Sequence, residues 1–255
     1  MLAAVAPSVA VARCWRVETF KSMIPIHIDS AWKGTSDCRD CGIRDMVLFA
    51  DLNEQDFSEI HTPIDDMAFT PDAVIYHEGQ QAVGLFTLRK GMVKLVRSTA
   101  DGRERIVRVL RPGDVLGLEA LATSRYDSEA VALVDVSVCR IPLSVLHHLS
   151  NNSSRLHLRL MQKWQHALKD ADDWLADLNF GTARQRVASL ALKMRDPDQP
   201  QFTSFFARDD MGAMLDLKLE TVSREISGLV RDGALKPCDK QGRRYEILNE
   251  RLLQV

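Results

Sequence analysis

Between Phe69 and Pro142 the chain is cut into short apolar and β-branched runs, each stopped by a glycine-bearing turn. This punctuation constrains the fold more than any other feature of the sequence. Ala73-Val74-Ile75-Tyr76 runs into Glu78-Gly79, Gly84 to Leu88 into Lys90-Gly91, Met92 to Val96 into Asp101-Gly102, and Arg105 to Leu110 into Pro112-Gly113. A run from Val131 to Ile141 follows, apolar on alternate positions. A period of two sets one face of a strand against a core. Asp101-Gly102 is a favourable hairpin turn, because both residues tolerate positive φ. Several short strands at this spacing predict a small antiparallel barrel or β-roll.

Beyond Pro142 the period becomes helical. Leu160, Trp164, Leu168, Ala171, Leu175 and Leu178 recur at steps of four and three and form one apolar stripe on a helix predicted over Leu156 to Leu178. Two partners fit such a stripe: a second copy of the chain, as in a coiled-coil seam, or the chain's own β domain. His147-His148 lie nearby and are expected as a solvated pair rather than a metal site. Gly181 and Thr182 punctuate the end of the long helix, and a second amphipathic helix is predicted from Ala183 to Met194. The chain therefore divides into an N-terminal extension (1–35), a β-roll domain (36–150), a long helix (151–180) and a C-terminal domain (181–255). The fold class is α+β.

The C-terminal domain carries the most informative local motif, a helix-turn-helix at about 208–227. Asp209-Asp210 signals the start of a short helix, Met211 to Leu215, and Asp216-Leu217-Lys218 breaks it. A second helix, Leu219 to Arg231, is predicted to bury Leu219, Val222, Ile226, Leu229 and Val230, with Asp232-Gly233 ending it. Small Gly212 falls where the two helices cross. Lys218, Glu220, Thr221, Ser223 and Arg224 face outward, and they form a base-reading set: arginine donates twice to guanine, glutamate accepts from cytosine, and serine serves several base edges. The pieces around Ala234-Leu235-Lys236 and Arg244 to Leu248 predict a winged hairpin. Residues 211–245 hold seven Lys or Arg against five Asp or Glu. The excess gathers at the wing, where Arg243 and Arg244 are expected on phosphate.

Composition adds exclusions. The net charge of −2 gives no whole-chain electrostatic sign of nucleic acid, so a local patch must supply it. The longest apolar stretch, Leu2 to Ala12, is too short to cross a bilayer and lacks the basic flank of an export signal, so no membrane partner is expected. Met23 opens a second plausible start, which leaves the nativeness of residues 1–22 open. Five scattered cysteines do not make a secreted disulfide framework, and a cytoplasmic location is expected. No paired catalytic carboxylates, nucleophile elbow or phosphate loop is present, so an enzyme is not expected.

The order β-roll, long helix, helix-turn-helix resembles the CRP/FNR family of bacterial transcription regulators over residues 36–250. The best-matched pieces are Gly113-Asp114-Val115-Leu116-Gly117, Ser137 to Pro142, and Leu219-Glu220-Thr221-Val222-Ser223-Arg224. The motif Glu-x-x-Ser-Arg, here Glu220, Ser223 and Arg224, is similar to the one with which the FNR branch reads its TTGAT half-site. The resemblance implies a homodimer on a near-palindromic duplex, and an RNA polymerase contact at the turn Thr99 to Glu104, where Gly102 and Glu104 match. The chain departs from the family at Asp216, where the turn usually has glycine.

The resemblance raises two effectors. Cyclic AMP is held in the CRP branch by a glutamate and an Arg-Ser pair. Those positions here are Leu118, Ser128 and Glu129, so the phosphate would lose its cation and meet a carboxylate, and cyclic AMP is not expected. The other is a metal centre. Cys38-Arg39-Asp40-Cys41 resembles the N-terminal cluster segment of FNR-type oxygen sensors, and Cys139 falls at the family's ligand position in the β-roll. Four thiolates there hold an oxygen-labile [4Fe-4S] cluster. The family's third cysteine is missing from the window Val47 to Ala50, so Cys14, a carboxylate (Asp37, Asp40 or Asp45) or a small ligand would complete the set. A thiol–disulfide switch and zinc remain alternatives, as does a cyclic-nucleotide-binding module with no transcriptional role.

Overall fold

The structure, a computed structural model, describes residues 65–98, 102, 104–152 and 154–254. Eight strands build two antiparallel four-stranded sheets. β1 (Asp65–Phe69), β8 (Val136–Pro142), β3 (Gly84–Lys90) and β6 (Val115–Leu116) form one in that order, and β2 (Val74–Tyr76), β7 (Glu129–Ala132), β4 (Val93–Ser98) and β5 (Glu104–Leu110) form the other. Alternate side chains of both sheets point into a shared core that includes Leu85, Leu88, Val93, Leu110, Leu116, Val138 and Ile141. Each fully buried leucine or valine of this set contributes about 1.5–3 kcal/mol. The run from Val131 to Ile141 proves to be two strands. Residues 133–135 carry the chain from one sheet to the other, and the alternation hides this because both pieces keep apolar side chains inward. Gly91 packs directly on the crossover: a Cβ there would meet the Asp135 carbonyl oxygen at 2.3 Å.

Two helices follow, α1 (Leu143–Asn152) and α2 (Ser154–Leu178). α2 has two apolar faces rather than one. Leu156 and Leu160 are buried in the β-roll core, and Trp174 and Leu178 in a second core that belongs mainly to the C-terminal domain. Leu160 and Leu178 are therefore not part of an exposed seam, which corrects the expected stripe. The exposed apolar face consists of Met161, Trp164, Leu168 and Leu175, flanked by Leu158, with half-buried Ala171 on the same heptad line. Lys163 turns inward and donates from Nζ to the Gly113 carbonyl at 2.6 Å. Burial, with the nearby Arg159 charge, lowers its pKa.

The C-terminal domain starts at α3 (Ala183–Lys193), whose N-terminus is closed by a reciprocal capping box. Gln185 N–H donates to Thr182 Oγ1 at 3.2 Å, and Thr182 N–H donates to Gln185 Oε1 at 2.7 Å. β9 (Phe202–Ser204), α4 (Arg208–Leu215), α5 (Leu219–Arg231), β10 (Leu235–Pro237) and β11 (Arg244–Ile247) complete it. The three strands form one antiparallel sheet in the order β10-β11-β9. This domain packs on the outer side of the β-roll: Val96, Ile106, Val109 and Leu133 share one apolar cluster with Met211, Met214 and Leu215. Lys94 on β4 pairs with Asp210 on α4 at 2.5 Å, and Arg105 on β5 pairs with Asp216 at 2.6 Å.

Candidate nucleic-acid interface and sensor position

The helix-turn-helix forms where the spacing places it, with two local differences. α4 begins at Arg208 with Ala207 as its cap, so Asp209 and Asp210 lie in the first turn, where they meet the helix dipole rather than cap it. Leu219, expected inside, is 42% exposed because it is the first residue of α5, before the helix turns its apolar stripe into the core. The turn itself is held by Asp216 at φ 54 and ψ 48, the left-handed region that glycine usually fills and Asp enters at modest cost. Gly212 permits the close crossing: a Cβ there would meet the Leu217 carbonyl oxygen at 2.6 Å.

α5 buries Val222, Ile226 and Leu229 and turns its opposite face to solvent. Glu220 and Arg224, one helical turn apart, stand exposed with Lys218 at the N-terminal end, and Thr221 and Ser223 are half-buried beside them. The Arg224 side chain is 71% exposed, and its Nε donates to Glu225 Oε1 at 3.4 Å. The four N–H donors on its two Nη atoms are therefore available to a base edge.

The wing is the β10–β11 hairpin, in register Leu235↔Ile247 to Pro237↔Tyr245. Its tip is tightly built. The Asp239 carboxylate accepts the N–H groups of Arg243 and Arg244, both at 2.9 Å, and Cys238 N–H donates to the Arg244 carbonyl at 2.8 Å. Lys240 and Arg243 stand exposed on this tip. Arg244 does not join them. Its guanidinium lies over the Phe202 ring, 4.5 Å from the centroid, and donates to Gln199 Oε1 at 3.0 Å, which leaves its side chain 16% exposed. That arginine, expected on phosphate, is committed inside the domain.

Of the cysteines, Cys139 is half-buried on β8, in register with Asp66 of β1 and Thr87 of β3. Cys14, Cys38 and Cys41 lie outside the described residues, as does most of the turn Thr99 to Glu104. Among the described residues no three His, Cys, Asp or Glu side chains group as a metal site. β1 begins at Asp65, which pairs with Arg140, the neighbour of Cys139 on β8.

The positions that would hold a cyclic nucleotide are differently furnished. Leu118 and Ser128 are buried, and Glu129 is held by His77, Nδ1 to Oε2 at 2.5 Å. Tyr76 and Tyr126 stack at 3.9 Å between ring centroids, with Phe86 against Tyr76 at 5.8 Å. Tyr126 Oη donates to the Gly84 carbonyl at 2.8 Å. Burial raises the pKa of both phenols, that of Tyr76 well above 10. Sequence reasoning did not find this aromatic stack, because Tyr76 and Tyr126 are far apart in the chain and neither lies in a motif.

The profile of the cyclic nucleotide-binding domain matches residues 67–153, and that of the Crp-like helix-turn-helix domain matches residues 185–255. Among solved structures, FixK2 from Bradyrhizobium japonicum is 28% identical and superposes with a TM-score of 0.67 over 75% of this chain and 96% of that one. The transcriptional activator protein FnrL of Cereibacter sphaeroides is 27% identical over 229 residues, 85% of this chain and 90% of that protein. The anaerobic regulatory protein of Pasteurella multocida is 27% identical over 205 residues, 78% of this chain and 75% of that protein. With the β-roll, the helix-turn-helix and these relatives in agreement, the chain belongs to the CRP/FNR family and is a transcription regulator of the FNR type. No helix among the described residues is long and apolar enough to cross a membrane.

Proposed function

We propose that the chain acts in the cytoplasm as a homodimeric activator that reads TTGAT-like half-sites in double-stranded DNA and engages RNA polymerase. The observation that carries this reading is the outward face of α5, where Glu220 and Arg224 stand one turn apart over a buried Val222–Ile226 spine. Glu220, Ser223 and Arg224 read base edges; Lys218, Thr221, Lys240 and Arg243 meet backbone phosphate. Two-fold symmetry places the recognition helices one DNA turn apart. The exposed line Met161, Trp164, Leu168, Ala171 and Leu175 on α2 forms the seam between protomers. Binding to a duplex with two TTGAT half-sites, compared with a scrambled duplex of the same composition, tests the reading. Equal affinity for the two would overturn it.

Oxygen or redox state is the signal in this reading. Cys38, Cys41 and Cys139 supply three thiolates for a [4Fe-4S] cluster and Cys14 the fourth; when bound, the cluster supplies an oxygen-labile centre. Because no cysteine stands in the window 47–50, a thiol–disulfide switch among the same cysteines is the second reading. Iron and sulfide analysis with an absorption spectrum of anaerobically purified protein separates the two. In this reading cyclic AMP is not the effector: neutral Ser128 stands at the position of the expected cation, and the Glu129 carboxylate beside it would face the phosphate.

A further inference from the structure

We propose that Arg208 is the positioning residue that fixes the wing tip to the helix-turn-helix, and thereby decides whether the wing's cations reach the duplex that α5 reads. The proposal rests on the DNA reading above and concerns how its two halves are held together.

Arg208 is the first residue of α4. Its Nη2 donates to the Gly242 carbonyl and to Tyr245 Oη, both at 2.9 Å, and its guanidinium carbon lies 5.7 Å from the centre of the Phe205 ring. Both acceptors are neutral, so the arginine contributes the shape of its fork to a joint between elements. Gly242 lies at the wing tip with φ 64, and a Cβ there would meet Tyr245 Oη at 3.2 Å and Arg208 Nη2 at 3.5 Å. The loop backbone is thus drawn close onto this joint, in a conformation suited to glycine.

The other ties of the tip have a different reach. Asp239 braces the loop from within, and Phe205 N–H donates to the Arg243 carbonyl at 2.6 Å from the strand side. Among the ties described, only the Arg208 fork runs from the tip to a helix of the helix-turn-helix. α4 is fixed to α5 through Gly212 and the Asp216 turn. Lys240 and Arg243 flank Gly242 in sequence and are the exposed cations this joint would aim.

Arg208→Lys keeps the charge and loses the planar fork, and Tyr245→Phe removes one acceptor with no change in charge. The first measurement is amide hydrogen exchange on the free protein. Exchange at residues 239–244 should quicken at least about tenfold in Arg208→Lys while α5 stays protected. Unchanged exchange overturns the clamp, whatever the protein does with DNA. The second is the salt dependence of binding to the TTGAT duplex. Arg208→Lys should lower the slope by about 1.8 per half-site, the value for two phosphate contacts, and Tyr245→Phe should lower it partway. In a Lys240→Ala, Arg243→Ala background, Arg208→Lys should change nothing further. A slope that Arg208→Lys leaves intact overturns the positioning role. Wild-type protein that fails to prefer the TTGAT duplex overturns the DNA reading alone, because the exchange result judges the clamp separately.

Discussion

Lys94 of the β-roll and Asp210 of the first helix-turn-helix helix are joined at 2.5 Å across the boundary between the two domains, with side chains only 15% and 18% exposed. The pair sits at the margin of the apolar contact that Val96, Ile106 and Val109 make with Met211, Met214 and Leu215. With the β-roll and the helix-turn-helix domain held this way, a change in β-roll packing bears directly on α4.

Removing one partner strands a largely desolvated charge. Lys94→Met should destabilise the protein by about 1–3 kcal/mol, and Lys94→Met with Asp210→Leu should cost less than the single change. Urea unfolding midpoints for the three proteins check this; a double variant less stable than the single one would contradict it.

The two faces of α2 separate folding from assembly. Leu160→Ala, in the β-roll core, should cost about 2–5 kcal/mol of stability. Leu168→Ala, at a side chain 64% exposed, should leave the unfolding of the monomer nearly unchanged and weaken self-association. Sedimentation at graded concentration beside thermal melts resolves the two effects.

Arg224→Ala should cost about 1–3 kcal/mol of binding on a TTGAT-type duplex and flatten the preference for it over other sequences. An equal loss on random DNA would assign the residue to phosphate instead.

Tyr76 and Tyr126 give an alkaline signature. Burial raises their folded pKa above the unfolded value of 10.0, so the neutral phenols add stability that is complete below pH 10 and is lost as pH rises through the folded values. Phenolate absorbance from these two rings should therefore appear late and together with a falling urea midpoint. Tyr126→Phe, which removes the bond to the Gly84 carbonyl, should cost about 1 kcal/mol at neutral pH.

Much of this architecture was legible from local rules. Glycine turns marked the strands, Gly181 and Thr182 marked the end of the long helix, and Gly212 and Asp216 marked the helix-turn-helix, because each is set by the backbone needs of its own neighbourhood. Long-range packing was not legible. Alternation from Val131 to Ile141 could not disclose a change of sheet. A helical stripe could not say that Leu160 faces the β-roll while Leu168 faces out. Arg244 looked like a phosphate contact until Phe202 and Gln199, distant in sequence, took its guanidinium. Arg208 carried no motif at all; only the fold brings it to Gly242 and Tyr245.

The central claim joins a cysteine-held sensor to base reading by α5, and one titration tests it: affinity for a TTGAT palindrome measured on a single anaerobically prepared sample before and after exposure to air. The account expects coloured protein that binds the palindrome well above a scrambled duplex, and loses that preference as the colour bleaches. Colourless protein with the same affinity in both conditions would contradict it.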